Sequence, residues 1–447
     1  MKLKSFALTL LTLSITTVAG TKAAEAASFT VVADGLDNPR NIGFDSDNNL
    51  YVTESGKGGD GKDGRCIASP SAQYIPLCAG GTGSLLKITP DGKKETVLSN
   101  LTSLALTPSG EQAAGPADIK FDNKGSAYFL TGLAGDPSKR DTVLKSPDLG
   151  KLYKLDLKTK SLTTLADFGA YELKNNPDGT DIISNPYALA IKGDTGYVVD
   201  GGGNSIYSVG LDGSGIKNVR ALPDKLISPD KLEFPTLPEG TTDPTGGAPL
   251  PPGYTKASNG LPVSNQSVPT GIVVAPDGSL TVSEYTYFPY PEGEARIFSI
   301  DPNTLQARVL ADGLTQLTGV TYDDEGNLYA LQHINNSEWK EIQQGGVITG
   351  DISGSLLKID AYGKVTTLLE GEGLEAASGI TYGPDGKLYI SNRARLAGTG
   401  QVISIDPRAA SVPEPTSVLT TLTAAAFGGA SILKRKRSKE LAKAETV

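Results

Sequence analysis

Residues 38–52 read NPRNIGFDSDNNLYV: an apolar stretch, a tight polar turn at 45–49, and a second apolar stretch. The phrase returns five times, as GPADIKFDNKGSAYF (115–129), NPYALAIKGDTGYVV (185–199), VPTGIVVAPDGSLTV (268–282), LTGVTYDDEGNLYAL (317–331) and ASGITYGPDGKLYI (377–390). A unit this small cannot bury its own apolar face, so it must stack on copies of itself. Most copies continue into two more short strand patterns, such as SLLKI (84–88) and KETVL (94–98), joined by Pro90-Asp91-Gly92. Four β-rich segments per repeat, punctuated by Gly, Pro and Asp turns, predict a propeller blade. Six repeats predict an all-β, six-bladed β-propeller.

Working outward, the sixth copy lacks a fourth strand, because QVISI (401–405) runs into Asp406-Pro407 and a different kind of sequence. The missing strand is expected at the other end of the chain, where FTVVADGL (29–36) matches RVLADGL (308–314) in texture. A terminal strand that completes the last blade closes the ring and removes exposed edges. The propeller is therefore expected over residues 28–407.

Both ends carry targeting features. Residues 1–27 have a basic start (Lys2, Lys4), an apolar core and Ala24-Glu25-Ala26, an export-signal pattern. Residues 408–416 form a linker with Val412-Pro413-Glu414-Pro415, followed by an apolar run at 417–433 and a basic tail at 434–447. The run is close to the shortest length that spans a bilayer, and the basic flank belongs on the cytoplasmic side. A membrane helix is thus expected at the C-terminal end, tethering an exported, periplasmic or cell-surface domain to the plasma membrane.

The chain has 41 basic and 50 acidic residues. Setting aside residues 1–27 (three basic, one acidic) and 434–447 (six basic, two acidic) leaves 32 and 47, a net charge of −15. That surface argues against nucleic acid as a partner. The two cysteines, Cys66 and Cys78, lie in one Gly-rich insertion. In an exported protein they are expected to form a local disulfide; a thiol metal or redox site is the alternative, with a spacing that fits no common motif.

Loop lengths are unequal. The turns between first and second strands are all short, whereas the connections at 55–83, 100–114, 132–150, 222–267, 285–294 and 333–354 are long. Strand order puts the long set on one face of the disc, which is where loops on a rigid scaffold carry function. The same face holds the residues that follow each second strand: Glu54, Thr131, Asp200, Glu284, Gln332 and Asn392. If these converge on the axis, Glu54, Asp200, Glu284 and Asn392 would hold a hard divalent cation such as Ca2+ in the central channel. The other reading is a water-filled channel with a polar lining. The turns DSDNN (45–49) and DDEGN (323–327) do not fit a calcium loop.

His333 is the only histidine, so any triad or multi-histidine site runs through it or does not exist. Its position permits a general-base role, although a loop histidine making ordinary hydrogen bonds is the plainer reading. Trp339, Tyr285 and Tyr287, with Phe288 and Tyr290 beside them and Arg40 at a strand entrance, would suit a planar aromatic guest. Loop packing explains the aromatic residues equally well.

The order NPRNIGFDSDNNLYVTESG, a Gly- and Cys-bearing loop, GTGSLLKITPDGK, GPADIKFD and finally SGITYGPDGKLYISN resembles the cyanobacterial ScyD/ScyE family of exported propellers. The end of the chain resembles the PEP-CTERM sorting signal, which implies a sorting protease as a partner. The first resemblance implies a role outside the membrane in making scytonemin, an indole and phenol pigment, by binding or assembling an aromatic precursor. It transfers no catalytic motif. A second resemblance, to gluconolactonase and senescence-marker propellers, implies a metal-dependent lactonase or esterase, with the channel cation activating water and Asp118 or His333 as base.

Overall fold

Most repeats fold as hairpins whose turn is built by a side chain. Asp45 Oδ1 accepts the backbone N–H groups of Asp47 and Asn49, and Asp122 and Asp323 do the same in their own repeats. These are Asx turns, which reverse the chain between two apolar strands. The computed structural model describes residues 29–71, 75–228, 231, 263–338 and 350–409. The export signal, the linker beyond 409, the predicted anchor and the basic tail lie outside the described residues. Among the described residues no helix is long and apolar enough to cross a membrane.

The chain enters with β1 (Phe29–Leu36). Blade 1 comprises β2 (Pro39–Phe44), β3 (Leu50–Glu54), β5 (Pro76–Ile88) and β6 (Lys94–Leu106), with β4 (Cys66–Ala68) paired to the far end of β5. Blade 2 is β7 (Pro116–Phe121), β8 (Ala127–Thr131), β9 (Lys151–Asp156) and β10 (Ser161–Asp167), with α1 (Pro137–Arg140) between its middle strands. After α2 (Phe168–Asn175), blade 3 is β11 (Pro186–Lys192), β12 (Thr195–Asp200), β13 (Ser205–Gly210) and β14 (Ile216–Ala221). A ribbon of β15 (Lys225–Ile227) and β16 (Val263–Asn265) brackets the Pro-rich insertion. Blade 4 is β17 (Pro269–Val274), β18 (Leu280–Glu284), β19 (Ala295–Ile300) and β20 (Ala307–Leu314). Blade 5 is β21 (Leu317–Tyr322), β22 (Leu328–Gln332), β23 (Ser353–Ile359) and β24 (Val365–Glu375). Blade 6 is β25 (Ile380–Tyr382), β26 (Leu388–Asn392) and β27 (Gly400–Ile405), completed by β1.

The ring closes as its ends predict: β1 pairs antiparallel with β27, from Phe29 opposite Ile405 to Leu36 opposite Gly400. The core lies between blades, where alternate residues of neighbouring sheets interdigitate. Leu152, Leu189, Val198 and Tyr207 form one such layer between blades 2 and 3. The innermost strands run close together. A Cβ on Gly43 would stand 2.4 Å from the carbonyl oxygen of Ile119 in the next blade, so only glycine fits there.

Besides the short elements β4, α1, β15 and β16, two larger departures from the expected loops stand out. Segments 76–83 and 99–106 are strand, because β5 and β6 continue past the disc as one hairpin whose register shifts around Gly80 and Gly83. Bulges let a long strand bend away from its sheet. Leu77, Leu104 and Leu106 pack this extension against Leu133, Leu144 and Leu149 of the blade 2 insertion, a satellite core on the loop-rich face. Cys66 and Cys78, opposite each other in the β4–β5 register, form the disulfide. The second departure is α2 and the turn after it, a structured connection that the loop pattern did not single out.

Candidate functional site

The residue after each inner-strand entrance faces the channel. Five of the six inner pairings shift register there, for example between Pro186 and Ala188 and between Pro269 and Gly271. Two consecutive residues therefore face the axis at different heights. Arg40, Ala117, Tyr187, Thr270 and Thr318 line a cavity of ≈ 220 Å³ on the loop-rich side. Asn41, Asp118, Ala188, Gly271 and Gly319, one residue later, line a smaller one of ≈ 70 Å³ on the other side.

Side chains that cross the axis divide the two. The Tyr187 hydroxyl meets Ser378 Oγ at 2.7 Å, joining blade 3 to blade 6. Asn41 Nδ2 donates to the Tyr187 carbonyl at 2.9 Å, joining blade 1 to blade 3. Tyr187 is thus the floor of the upper chamber. Its roof is also built across the ring: Tyr287 donates to the Pro70 carbonyl at 3.2 Å and Tyr290 to that of Ser71 at 3.1 Å, tying a blade 4 loop to a blade 1 loop.

The wall carries a buried polar network from four blades. Arg395 donates to Glu338 and lies 3.4 Å from Glu111, both carboxylates being almost fully buried. Gln112 Nε2 donates to Glu338 at 2.7 Å, and the Tyr285 hydroxyl donates to Glu338 while accepting from Gln316 at 2.8 Å. Burial works against the charge of Glu338, but Arg395 outweighs it and holds the carboxyl below its usual range. Burial, then Glu338, pushes the Tyr285 phenol well up, so it stays a neutral donor. Arg395 Nη2 has no hydrogen-bond partner.

The sequence candidates divide sharply in this frame. Arg40, Tyr285, Tyr287 and His333 line the chamber together. The Arg40 guanidinium, lowered by burial, is held by the carbonyls of Ala113 and Ala394 at 2.6 Å each. His333 Nδ1 donates to the Ala377 carbonyl at 2.8 Å, which fixes the tautomer, and burial lowers its pKa to about 4. Its ring sits edge-on to Tyr285, 5.8 Å between centroids. Asp118 is not with it. It faces the opposite cavity, where its carboxylate accepts from Lys120 and from the Ile119 and Leu189 backbones. Trp339 lies outside the described residues.

The four expected metal ligands are not brought together. Each belongs to its own blade and clasps the chain entering that blade. Glu54 accepts from the Asp37 N–H and Ser84, Asp200 from three N–H groups and Ser184, and Asn392 from the Glu375 N–H. Glu284 accepts from Ser267 and, on both oxygens, from Arg296. Gln332 makes the same clasp with the Thr315 N–H. The oxygens are used inside the fold, and among the described residues no three His, Cys, Asp or Glu side chains form a group suited to a metal ion.

Tyr187, Glu338, Arg395, Glu111, Gln112 and Gln316 are site residues that sequence reasoning missed. Tyr187 was within reach, since it occupies the repeat position of Arg40 and Thr270. The others meet only through folded loops. No protein-family model matches the chain, and no curated protein matches it. Similar solved structures include a gluconolactonase from Xanthomonas campestris, 12% identical over 86% of this chain and 91% of that one, with TM-score 0.46. Others are the PQQ-bound aldose sugar dehydrogenase of Streptomyces coelicolor (14%; 86% and 98%; 0.45) and a streptogramin B lyase (12%; 85% and 97%; 0.39). At that level of likeness nothing about the site carries over.

Proposed function

We propose that this chain is an exported binding propeller of the ScyD/ScyE type, which holds a planar aromatic molecule of indole or phenol size outside the membrane. The observation that supports this reading is the chamber: tyrosines form its floor and roof, and Tyr285 and His333 stand in its wall. Aromatic rings present flat, low-entropy apolar faces, and their hydroxyls are already engaged with backbone and wall groups. The volume admits one small fused-ring system. The export signal, the sorting end and the net negative surface are sequence arguments for delivery to the cell exterior, with a sorting protease acting on the anchor. The disulfide fits an oxidising compartment.

The lactonase alternative needs a channel cation on converging oxygens, and the clasps engage those oxygens elsewhere. Equilibrium dialysis against indole, 4-cresol and their saturated ring analogues tests the proposal. Saturable uptake of about one aromatic molecule per chain is expected, with little uptake of the saturated analogues and clear weakening in Tyr187→Ala. Hydrolysis of simple lactones with no aromatic uptake would overturn it.

A further inference from the structure

The connection between blades 2 and 3 holds a polar cluster separate from the chamber. Glu172, in the last turn of α2, is fully buried; its Oε2 accepts from the Tyr207 hydroxyl at 3.1 Å, and its Oε1 has no partner. The helix ends at Asn176, which has φ 36° and a side-chain Nδ2 that donates to the Thr180 carbonyl at 2.8 Å. Asp178, in the turn that follows, accepts from Thr180 and, at 2.7 Å, from Asn204 Nδ2. Asn204 is buried, and its neighbour Gly203 presses on the Glu172 carboxylate: a Cβ there would stand 2.9 Å from Oε2. The four side chains are thus linked through Thr180 and Gly203.

Among the described residues no cationic side chain is a leading influence on the Glu172 carboxylate. The Oδ1 atoms of Asn176 and Asn204 are buried without partners, as is Glu172 Oε1. Neither amide can be turned to cure this, because its oxygen would then face the Thr180 carbonyl or the Asp178 carboxylate. Three orphaned atoms, all acceptors, exceed the two protons a single water can donate. The leading influences on Glu172 are burial and then the charges of Asp200 and Asp178, which push its carboxyl up to about 7. Asp200 itself is already satisfied by four donors.

We infer that a divalent cation of the calcium class binds here, held by Glu172 Oε1, Asn176 Oδ1, Asn204 Oδ1 and the Asp178 carboxylate. Two acids with two neutral amide oxygens, reached from an irregular turn at the negative end of a helix, suit calcium better than the strict octahedron of magnesium. The site would pin the segment that runs on to Asp181, Ile183 and Asn185, which line the chamber mouth.

The test uses chelator-treated, dialysed protein titrated with CaCl2 by calorimetry and with Tb3+ by luminescence, which Tyr207, bonded to Glu172, should sensitise. Expected are about one calcium per chain with a dissociation constant of about 10⁻⁴–10⁻³ M and a higher unfolding midpoint in millimolar calcium. Glu172→Gln and Asn176→Ala, the second at a half-exposed cap, should each weaken binding by about tenfold or more, and Tyr207→Phe should dim the Tb3+ signal. No calcium heat and no thermal shift would overturn the inference. So would binding that is unchanged in Asn176→Ala and Glu172→Gln, which would place the cation elsewhere.

Discussion

His333 is neutral in the folded chain because burial denies its charge solvent, bringing the pKa to about 4. In the unfolded chain an imidazole titrates near 6.5. The unfolded state therefore binds the extra proton between these values, and stability contributed above pH 6.5 is lost as pH falls toward 4. The loss is about 2 kcal/mol at pH 5 relative to pH 7. His333→Asn keeps a donor near the Nδ1 position for the Ala377 carbonyl but cannot titrate. Urea unfolding at pH 7 and 5 should show the wild type losing about 2 kcal/mol more than the variant; equal losses would mean that the imidazole is not excluded from water. This pH dependence would also limit His333 as a general base, since its ring takes up a second proton only in acid.

Elements show what is legible in a sequence and what is not. Six hairpins could be read because turn chemistry and strand alternation are local: Asp45 and Asn49 are four residues apart. The direction of the side chain at the end of a second strand is not local. For Glu54, Asp200 and Glu284 it goes with the register shift opposite, so these three and Asn392 looked like an axial ring while each clasps its own blade. The chamber wall was less legible still, because Gln112 and Glu338 meet across 226 residues. The clasp makes a prediction of its own. Glu284→Ala leaves the buried Arg296 guanidinium without its carboxylate and should cost about 3–5 kcal/mol in denaturant unfolding. Glu284→Gln with Arg296→Met should recover much of that loss. A metal-ligand role would instead leave stability in chelator nearly unchanged.

At the scale of the whole molecule, the ring depends on a strand borrowed from the start of the chain. Without β1 the edge of β27 from Gly400 to Ile405 is unpaired, a template for intermolecular pairing. A chain beginning at Asp37 should aggregate or lose cooperative unfolding, followed by light scattering and calorimetry; a monomer with unchanged cooperativity would contradict the closure. Closure in turn holds the opposite blades whose side chains build the chamber, Tyr187 with Ser378 below and Tyr287 and Tyr290 with the blade 1 loop above. The central claim is that this chamber receives the ligand. Its most direct test is a crystal structure with the tightest-binding aromatic compound from the dialysis panel. We predict density for one flat molecule between Tyr187 and the Tyr287–Tyr290 roof, in contact with Tyr285 or His333. Density only at the rim of the disc or in the cavity beside Asp118, with the upper chamber holding water alone, would contradict it.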